Sequence, residues 1–454
     1  MRVPRCFLSG FLLAGSLGTF TIALEAQAPP PASSLTLEDA VQMALKHQPA
    51  RQIAGAEVDR AKGAITQARA SVLPSVSLSE EAMISDDPVF AFGTRLRQAR
   101  FTASDFALDR LNHPSAIGNF ASSATATWMA YDFGATQKRL RSAHDAERAA
   151  ELYKGYTEQE IADRVTMLYY RALLAESQVT AAQANLQRSR EIAADVRDRV
   201  HSGLSLEADG MRAEIAARNA EDDLASARTN VQISREDLSE AIGAPTQNVT
   251  LTDKGGSAQA DGIASPSLAA RQDLQAMDLQ RASAEQNLSA IRRSRAPKFS
   301  TYAHAESNNP HFTGGGSANW MVGGKLELSI FDGGARKGQE QEAAAQITKL
   351  TAEKAQTEIA ARSRIRELEA QIADLERRYA TAGDAIRVDE EALHTSRNRY
   401  AAGLVSVSEV LDGESDLAAA NLARIRIHYQ LTIARTDLQL ANGTLNLKKA
   451  GQLQ

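Results

Sequence analysis

Residues Arg197-Asp-Arg-Val-His-Ser-Gly-Leu204 return as Arg397-Asn-Arg-Tyr-Ala-Ala-Gly-Leu404, each matched residue lying 200 positions further along the chain. The match runs without a gap from 131–243 to 331–443, which is the signature of an internal repeat. The identical pairs include turn residues as well as helix-favouring ones: Asp132/Asp332, Gly134/Gly334, Arg164/Arg364, Arg197/Arg397, Arg199/Arg399, Gly203/Gly403, Leu204/Leu404, Glu214/Glu414, Leu238/Leu438 and Gly243/Gly443. The sequence therefore predicts two copies of one structural unit.

Two prolines extend the repeat upstream. Pro74 and Pro297 each follow a helical pattern, and they lie 223 residues apart, so the first copy carries 23 extra residues between Pro74 and Tyr131. Because proline ends a helix and favours extended backbone, the chain is predicted to leave each helix there. Each copy then reads as a helix, two short strands joined by a loop, Asp-x-Gly, a very long helix, a Gly-Leu turn and a long helix.

The first residues have the features of a secretory signal. Arg2 and Arg5 precede a long apolar stretch and then Ala26-Gln-Ala28, which predicts a signal peptide over residues 1–26; an N-terminal membrane anchor is the alternative. Cys6 is the only cysteine, so the exported chain is expected to have no disulfide. The formal net charge of −5 offers no basic field for nucleic acid.

The region from Ala335 to Tyr400 contains no proline, and a heptad pattern runs through it. Apolar residues spaced three and four apart keep one stripe facing a partner helix, as in coiled coils. Alternating Arg and Glu residues fill the other faces, which indicates solvated surface. The heptad rows are Ile365, Ile372, Tyr379, Ile386, Leu393 and Tyr400, with Leu368, Leu375 and Ala382 beside them, and in the first copy Val165, Ala172, Val179, Leu186, Ala193 and Val200.

The short segments after the two prolines alternate between apolar and polar residues. In the first of them Val76, Leu78, Ala82 and Ile84 oppose Ser75, Ser77, Ser79 and Glu81. Strands of about 9–11 residues with one apolar and one polar face are typical of outer-membrane barrels. Aromatic residues near both ends of the strands fit the girdles of such barrels: Trp128, Tyr131, Phe299, Trp320 and Phe331.

Four strands cannot close a membrane barrel, and open strand edges are not stable in lipid. The chain is therefore expected to oligomerise, with two chains giving eight strands and three giving twelve; periodicity does not choose between these. A patch of soluble sheet is the competing interpretation, and the export signal together with the paired placement of the strands argues against it.

In this order, and twice over, these features resemble the TolC-like family of outer-membrane efflux proteins, over essentially the whole exported chain. The resemblance rests on Leu35-Thr-Leu-Glu-Asp-Ala-Val-Gln-Met-Ala-Leu45, Arg271-Gln-Asp-Leu274, Tyr131-Asp-Phe-Gly134, Phe331-Asp-Gly-Gly334, both strand starts after proline and both Gly-Leu turns. It implies a mainly helical chain that contributes four strands to a homotrimeric twelve-stranded barrel in the outer membrane of a Gram-negative-type bacterium. Long antiparallel hairpins would form a hollow helical cylinder across the periplasm.

The same resemblance implies a passive exit duct of a tripartite efflux pump or a type I secretion system. An inner-membrane pump and a periplasmic adaptor would complete the path, with no cofactor, metal or catalysis in the duct. The adaptor would dock on the tips formed by Arg199, Gly203, Leu204, Arg399, Gly403 and Leu404. Glu409 and Asp412, with Asp209 at the matching place in the first copy, would close the tip as a carboxylate gate.

Two observations weigh on that gate. Ser406-Val-Ser-Glu409 is also a capping-box pattern, which would give Glu409 a local role at the start of a helix. A well-studied member of the family has an arginine that pairs across the tip two positions after the second glycine, and this chain has Val405 there.

The extra residues of the first copy are predicted to form an outward-facing loop with mixed charges, in which Asp86 and Asp87 are solvated; cation binding by these two residues is the alternative. The predicted organisation begins with a signal over 1–26 and a first copy over 29–243, which has strands at about 74–85 and 119–133 and long helices over 135–201 and 206–243. A linker over 244–266 follows. The second copy, over 267–447, has strands at about 297–308 and 317–332 and long helices over 335–401 and 406–447, and a tail covers 448–454.

The sequence has no zinc motif, phosphate loop or nucleophile elbow, so no enzyme is predicted. Two alternatives are a periplasmic adaptor, which would have one hairpin between split β-domains, and a filament-forming coiled coil, which would lack amphipathic strands. The transported substrate is not encoded in any recognisable motif.

Overall fold

The computed structural model describes residues 34–247, 249–252, 268–312 and 316–445. The predicted signal peptide with Cys6, part of the predicted linker over 244–266 and the tail over 448–454 lie outside these residues.

Two pairs of long helices dominate the fold. Helix α5 (Ala135–His201) turns into α6 (Glu207–Ile242), and α8 (Ala335–Ala401) turns into α9 (Val407–Ala441). Helices α5 and α8 have 67 residues each, which is about 100 Å of helix. Heptad residues of α8 are buried against α9: Ile365, Leu368, Ile372 and Leu375 pack on Ile427, Leu431, Ala434 and Leu438.

Three shorter helices lie beside the long ones. They are α1 (Leu37–His47), α2 (Pro49–Ala70) and α7 (Gln272–Arg293). Helix α2 packs on α5, and α7 packs on both α5 and α8. Thr36 and Asp39 form a capping box at the start of α1, which fixes where that helix begins.

The main core lies where α1, α5 and α6 meet two very short strands. Strand β1 (Ser34–Leu35) pairs in parallel with β4 (Thr250–Leu251). The buried hydroxyl of Tyr169 donates a hydrogen bond to the carbonyl oxygen of Leu35 at 2.8 Å and lies 3.0 Å from that of Thr252. A residue of α5 thereby ties the beginning of the chain to the segment between its two halves.

Four longer strands form one antiparallel sheet in the order β2-β3-β5-β6. They are β2 (Ser75–Ser85), β3 (Ile117–Tyr131), β5 (Lys298–Asn309) and β6 (Ser317–Glu327). The register places Leu78, Ala124, Ala305 and Trp320 in one row across all four strands. Strands from the two halves of the chain are therefore neighbours in a single sheet.

The two faces of this sheet differ in polarity. Since alternate residues of a strand point to opposite sides, the row beginning at Leu78 belongs to an apolar face, and the row Ser79, Ser123, Glu306 and Asn319 belongs to a polar face. On the polar face Thr125 Oγ1 lies 2.9 Å from Nδ1 of His304. Most apolar-face side chains are exposed, among them Val76, Leu78, Ile84, Trp320, Val322 and Leu326.

The extra residues of the first copy are folded, which differs from the predicted solvated loop. They contain α3 (Pro88–Arg97), a 3-10 turn (Ala103–Phe106) and α4 (Leu108–Asn112). Asp87 caps α3 by accepting a hydrogen bond from the backbone N–H of Phe90 at 2.7 Å. The Asp87 carboxylate therefore acts as the N-cap of α3.

Strand β3 lies two residues earlier than predicted, and two other elements end five and six residues earlier. Strand β6 ends at Glu327 instead of 332, because Glu327 pairs with Lys298, the first residue of β5. Helix α9 ends at Ala441 instead of 447, because Gly443 adopts φ of 69° and its N–H bonds back to the carbonyl of Leu440.

Candidate functional site

The two hairpin turns have the same backbone. Gly203 and Gly403 adopt φ of 74° and 75°, the left-handed conformation that glycine tolerates best. At the first turn the N–H groups of Gly203 and Leu204 donate to the carbonyls of Val200 and Arg199, at 3.0 and 2.8 Å. The second turn repeats this pattern at 2.9 Å for both bonds. Both helices therefore end in a Schellman motif, which satisfies their last carbonyls.

Each turn presents a leucine to the surroundings. Leu204 is 75% exposed and Leu404 is 71% exposed, so within the described residues both tips present a large apolar side chain that is mostly uncovered. The two tips also touch each other, since the Arg199 guanidinium lies over the Tyr400 ring at 4.7 Å. That contact lies between the two hairpins and fixes Arg199, which also pairs with Asp195 at 3.1 Å.

The predicted gate carboxylates lie in different surroundings. Glu409 Oε1 accepts from Ser396 Oγ at 3.1 Å and from Arg399 Nη1 at 3.2 Å, so its charge is paired within the hairpin. Asp209 lies 3.7 Å from Arg212. Asp412 is exposed.

Ser406 and Glu409 do not form the capping box that the sequence pattern suggests, because the side-chain hydrogen bond of Ser406 is absent. Ser406 is the N-cap residue of α9, but its side chain makes no capping hydrogen bond. The Glu409 carboxylate instead faces back across the hairpin to Arg399, because α8 and α9 are close together at the turn.

A buried carboxylate near the tips was not singled out by the sequence analysis. Glu414 of α9 is only 4% exposed, and it accepts from Arg188 of α5 at 3.1 Å and from Arg397 of α8. Its counterpart Glu214 is exposed and pairs with Arg218 on its own helix at 2.8 Å. Glu414 therefore joins three helices and both hairpins at one point.

The predicted girdle aromatics of the strands share the apolar face. Trp128, Tyr131 and Phe299 lie at the end of the sheet next to the long helices, and a bulge between Met129 and Tyr131 puts Tyr131 opposite Phe299. Trp320 pairs with Ala305, six residues along β5 from Phe299, or about 20 Å. Phe331 is exposed but lies beyond the end of β6, in the segment that leads to α8.

Comparisons with known proteins agree with this geometry. The outer membrane efflux protein family matches residues 40–244 and 263–444. The chain belongs to this family. Protein CyaE of Bordetella pertussis is 24% identical over 433 residues, which cover 92% of this chain and 86% of CyaE.

Solved structures of low sequence identity share the fold. The outer membrane protein VceC of Vibrio cholerae has a TM-score of 0.75 at 20% identity, covering 90% of this chain and 96% of VceC. CusC has a TM-score of 0.78 at 17% identity, covering 90% and 92%. The family resemblance predicted from the motifs is confirmed. The chain is an outer-membrane channel protein of this efflux family, and its fold is mainly helical with some sheet.

The repeated Asp-x-Gly of this efflux-family chain has a structural role that the sequence analysis left unassigned. Asp132 accepts from the N–H groups of Gly134 at 3.1 Å and Thr136 at 2.6 Å, and so caps the start of α5. Asp332 does the same for α8 through Gly334 and Arg336. An Asp preceding a glycine at a predicted helix start was the signal available for this role.

Within the described residues, no group of His, Cys, Asp or Glu side chains is arranged to hold a metal ion. The same residues contain no helix of the length and apolarity needed to cross a bilayer.

Proposed function

We propose that three copies of this chain close a twelve-stranded barrel in the outer membrane. The observation that carries this proposal is the four-stranded sheet: one face is apolar and exposed, and β2 and β6 are edge strands within the described residues. A strand edge is tolerated in lipid only where another strand pairs with it. Pairing β2 of one copy with β6 of the next removes every edge, and three copies give twelve strands.

The long hairpins extend this barrel into the periplasm as a hollow helical cylinder. Their length of about 100 Å and their packing in antiparallel pairs support a duct that conducts substrates passively. In this role the chain is the exit duct of a tripartite efflux pump or a type I secretion system, served by an inner-membrane pump and a periplasmic adaptor.

The adaptor docks on the two tips. Leu204 and Leu404 are exposed on turns of identical backbone, which provides two equivalent apolar contacts per chain. Arg199, Gly203, Arg399 and Gly403 set the turn geometry and the charge around these leucines.

Carboxylates near the tips form the selectivity gate. Asp412 is the principal carboxylate of this gate, because Glu409 is paired with Arg399 and Asp209 lies next to Arg212. A ring of three exposed carboxylates attracts cations and repels anions. This chain has Val405 where an arginine would pair across the tip, and the Glu409–Arg399 pair instead joins α8 to α9 within the second hairpin.

Conductance of the detergent-extracted protein in planar bilayers tests the channel itself. A stable trimer that gives cation-selective current steps is expected. Protein that is extracted without detergent and forms no pores would overturn the proposal, and would favour the adaptor or the coiled-coil rod instead.

The gate is tested by comparing two substitutions. Asp412→Asn is expected to lower cation preference more than Glu409→Gln, because Glu409 is paired with Arg399 and Asp412 has no ion-pair partner among the described residues. Glu409→Gln is expected to raise conductance instead, since it releases Arg399. Equal effects of the two substitutions on ion selectivity would refute this division of roles.

Docking is tested by Leu404→Asp together with Leu204→Asp, which should abolish efflux while trimers still assemble. Ser202→Asp together with Ala402→Asp is the matched control, because it places the same two charges at the exposed turns and keeps both leucines. Normal efflux by the double variant would remove the tips as the docking site.

A further inference from the structure

The folded insertion between β2 and β3, residues 86–116, is attached to the polar face of the sheet. Gln98, the residue after α3, donates from Nε2 to Oδ1 of Asn119 at 3.0 Å and to the carbonyl of Gly118 at 2.9 Å. Asn119 in turn donates to Oδ1 of Asn308 on β5 at 2.7 Å. Arg97 Nη1 lies 3.5 Å from Oε1 of Glu306.

Burial agrees with these bonds. Asn308 has no solvent exposure at all although it lies in a sheet that is one layer thick, and Gln98 and Asn119 are also buried. Buried amides that are all hydrogen-bonded hold a single arrangement, since losing one partner leaves the others unsatisfied. The insertion is thus fixed against the sheet, and α3 contacts β3, β5 and β6.

Helix α3 has two distinct faces. Ala91, Thr94 and Gln98, spaced three and four apart, are buried toward the sheet. Val89, Gly93 and Leu96 lie on the opposite side, and Val89 is 81% exposed and Leu96 50% exposed. Within the described residues, α3 therefore covers a polar surface with one face and leaves two large apolar side chains uncovered on the other.

The insertion is internally braced. Asp105 accepts from the backbone N–H of Thr102 at 2.8 Å and from Arg95 of α3 at 2.7 Å. The Thr102 hydrogen bonds, backbone and side chain, together with Arg95 and Arg110, hold the pKa of Asp105 below its ordinary value. Phe92, Phe101 and Phe106 pack edge to face, with ring centroids 4.9 and 5.0 Å apart. These contacts join α3 and the 3-10 turn into one small unit.

We propose that the three α3 helices of the trimer meet at the pore axis through Val89, Gly93 and Leu96, and constrict the outer mouth of the channel. The inference rests on the proposed trimeric barrel, in which the polar face is the inner face. The insertion then lies inside the mouth remote from the long helices, and the partner of its apolar face is the same face of two other copies.

The dimensions favour contact at the axis. Twelve strands about 4.8 Å apart and tilted by about 40° enclose a backbone radius of roughly 12 Å. Three touching helices of about 10 Å diameter need a circle of roughly 11 Å radius. Strands β5 and β6 are joined by residues 310–316 alone, so the constriction comes from the first half of the chain.

Crosslinking tests whether the helices meet. Cys6 is the only natural cysteine, so a single Leu96→Cys substitution can be joined to another copy by a short bifunctional maleimide. Crosslinked dimers are expected on a denaturing gel. The matched control is Ile84→Cys, which lies at the same end of the sheet but on its apolar, outward face, and should give none.

Access from outside tests the constriction. Ser77→Cys puts a thiol on the polar face, deeper than Glu306. A small maleimide added outside should label this thiol in all variants, and a bulky one should label it at least about tenfold faster once Val89→Asp and Leu96→Asp are present. Asp109→Asn, an exposed change on α4, is the control and should leave bulky labelling slow.

The outcomes separate the two proposals. Trimers that conduct but show no Leu96→Cys crosslinking, or that admit the bulky reagent as fast as the small one before any substitution, overturn the constriction alone. Absence of trimers and pores in the natural protein overturns the proposed function and the constriction with it.

Discussion

The two helical hairpins share a backbone but differ in the environment of their side chains. Both end in the same glycine turn, and both start from the same Asp-x-Gly cap. Yet Glu414 is buried between two arginines, whereas Glu214 at the matching place is exposed on its own helix. Local sequence therefore fixes where a helix begins and ends, and packing decides what its charged residues do.

The difference arises from the neighbours of each returning helix. Helix α9 packs against both α8 and α5, and α6 packs mainly against α5. Arg188 reaches Glu414 from α5, and the position that matches it on α8 is Val388. Glu414 thereby joins the second hairpin to the first. The first hairpin cannot form the equivalent contact, because Val388 offers Glu214 no positive charge.

Replacing the buried carboxylate should have the largest effect on this comparison. Glu414→Ala leaves Arg188 and Arg397 without their carboxylate and is expected to lower the free energy of unfolding by about 2 kcal/mol. Glu214→Ala removes an exposed pair on one helix and should cost under about 0.5 kcal/mol. Urea unfolding followed by helical circular dichroism in detergent measures both.

Glu414→Gln is the control for shape, since it keeps the side-chain volume and some hydrogen bonding while removing the charge. Glu414→Gln should lower the free energy of unfolding by an amount between the decreases caused by Glu414→Ala and Glu214→Ala. Equal losses for Glu414→Ala and Glu214→Ala would mean that the asymmetry between the hairpins has no energetic weight.

A second asymmetry is sensitive to pH. Asp163 of α5 matches Ser363 of α8, and burial, reinforced by the negative charge of Asp437, raises the pKa of Asp163 to about 7. Glu160 adds to this and Arg364 opposes it. Its Oδ1 atom is buried without a hydrogen-bond partner among the described residues.

The sign follows from proton binding. Between about pH 4 and 7 the folded protein keeps the Asp163 proton while the unfolded chain has released it, so the free energy of unfolding should fall as pH rises through this window. Burial also raises the pKa of Glu160 and of Asp437, so Asp163→Asn should make that fall shallower, and Asp416→Asn, an exposed change, should leave it unchanged. Thermal melts at several pH values measure this; an equally steep decline in Asp163→Asn would assign it to other groups.

Much of the backbone was predictable from local signals. The glycine turns, the prolines before β2 and β5 and the alternation of the strands each express a short-range rule, and the structure follows them. The family assignment could be made for the same reason, since it rests on such signals in a fixed order. Asp87-Pro88 is a helix start of the same kind, an N-cap residue before a first-turn proline, although the mixed charges around it favour a loop.

The rest depends on contacts between residues far apart in sequence. Alternating Arg and Glu predicts a solvated face, and nothing near Glu414 indicates that α5 will cover it. The link from Gln98 through Asn119 to Asn308 likewise joins three separate segments. Such pairs become visible only once the packing of whole helices and strands is known.

The smallest expected difference lies at the turns themselves, where the hairpins should behave alike. Gly203→Ala and Gly403→Ala each force alanine into the left-handed region, at about 1 kcal/mol, and among the described residues no atom beyond the adjoining ones lies within 4 Å of either added Cβ. Gly443→Ala should cost more, because its Cβ would lie 2.8 Å from the backbone nitrogen of Arg271. Urea unfolding that separated Gly203→Ala from Gly403→Ala by more than about 0.5 kcal/mol would contradict the equivalence of the two turns, because only packing around one tip, and not the shared turn geometry, can distinguish them.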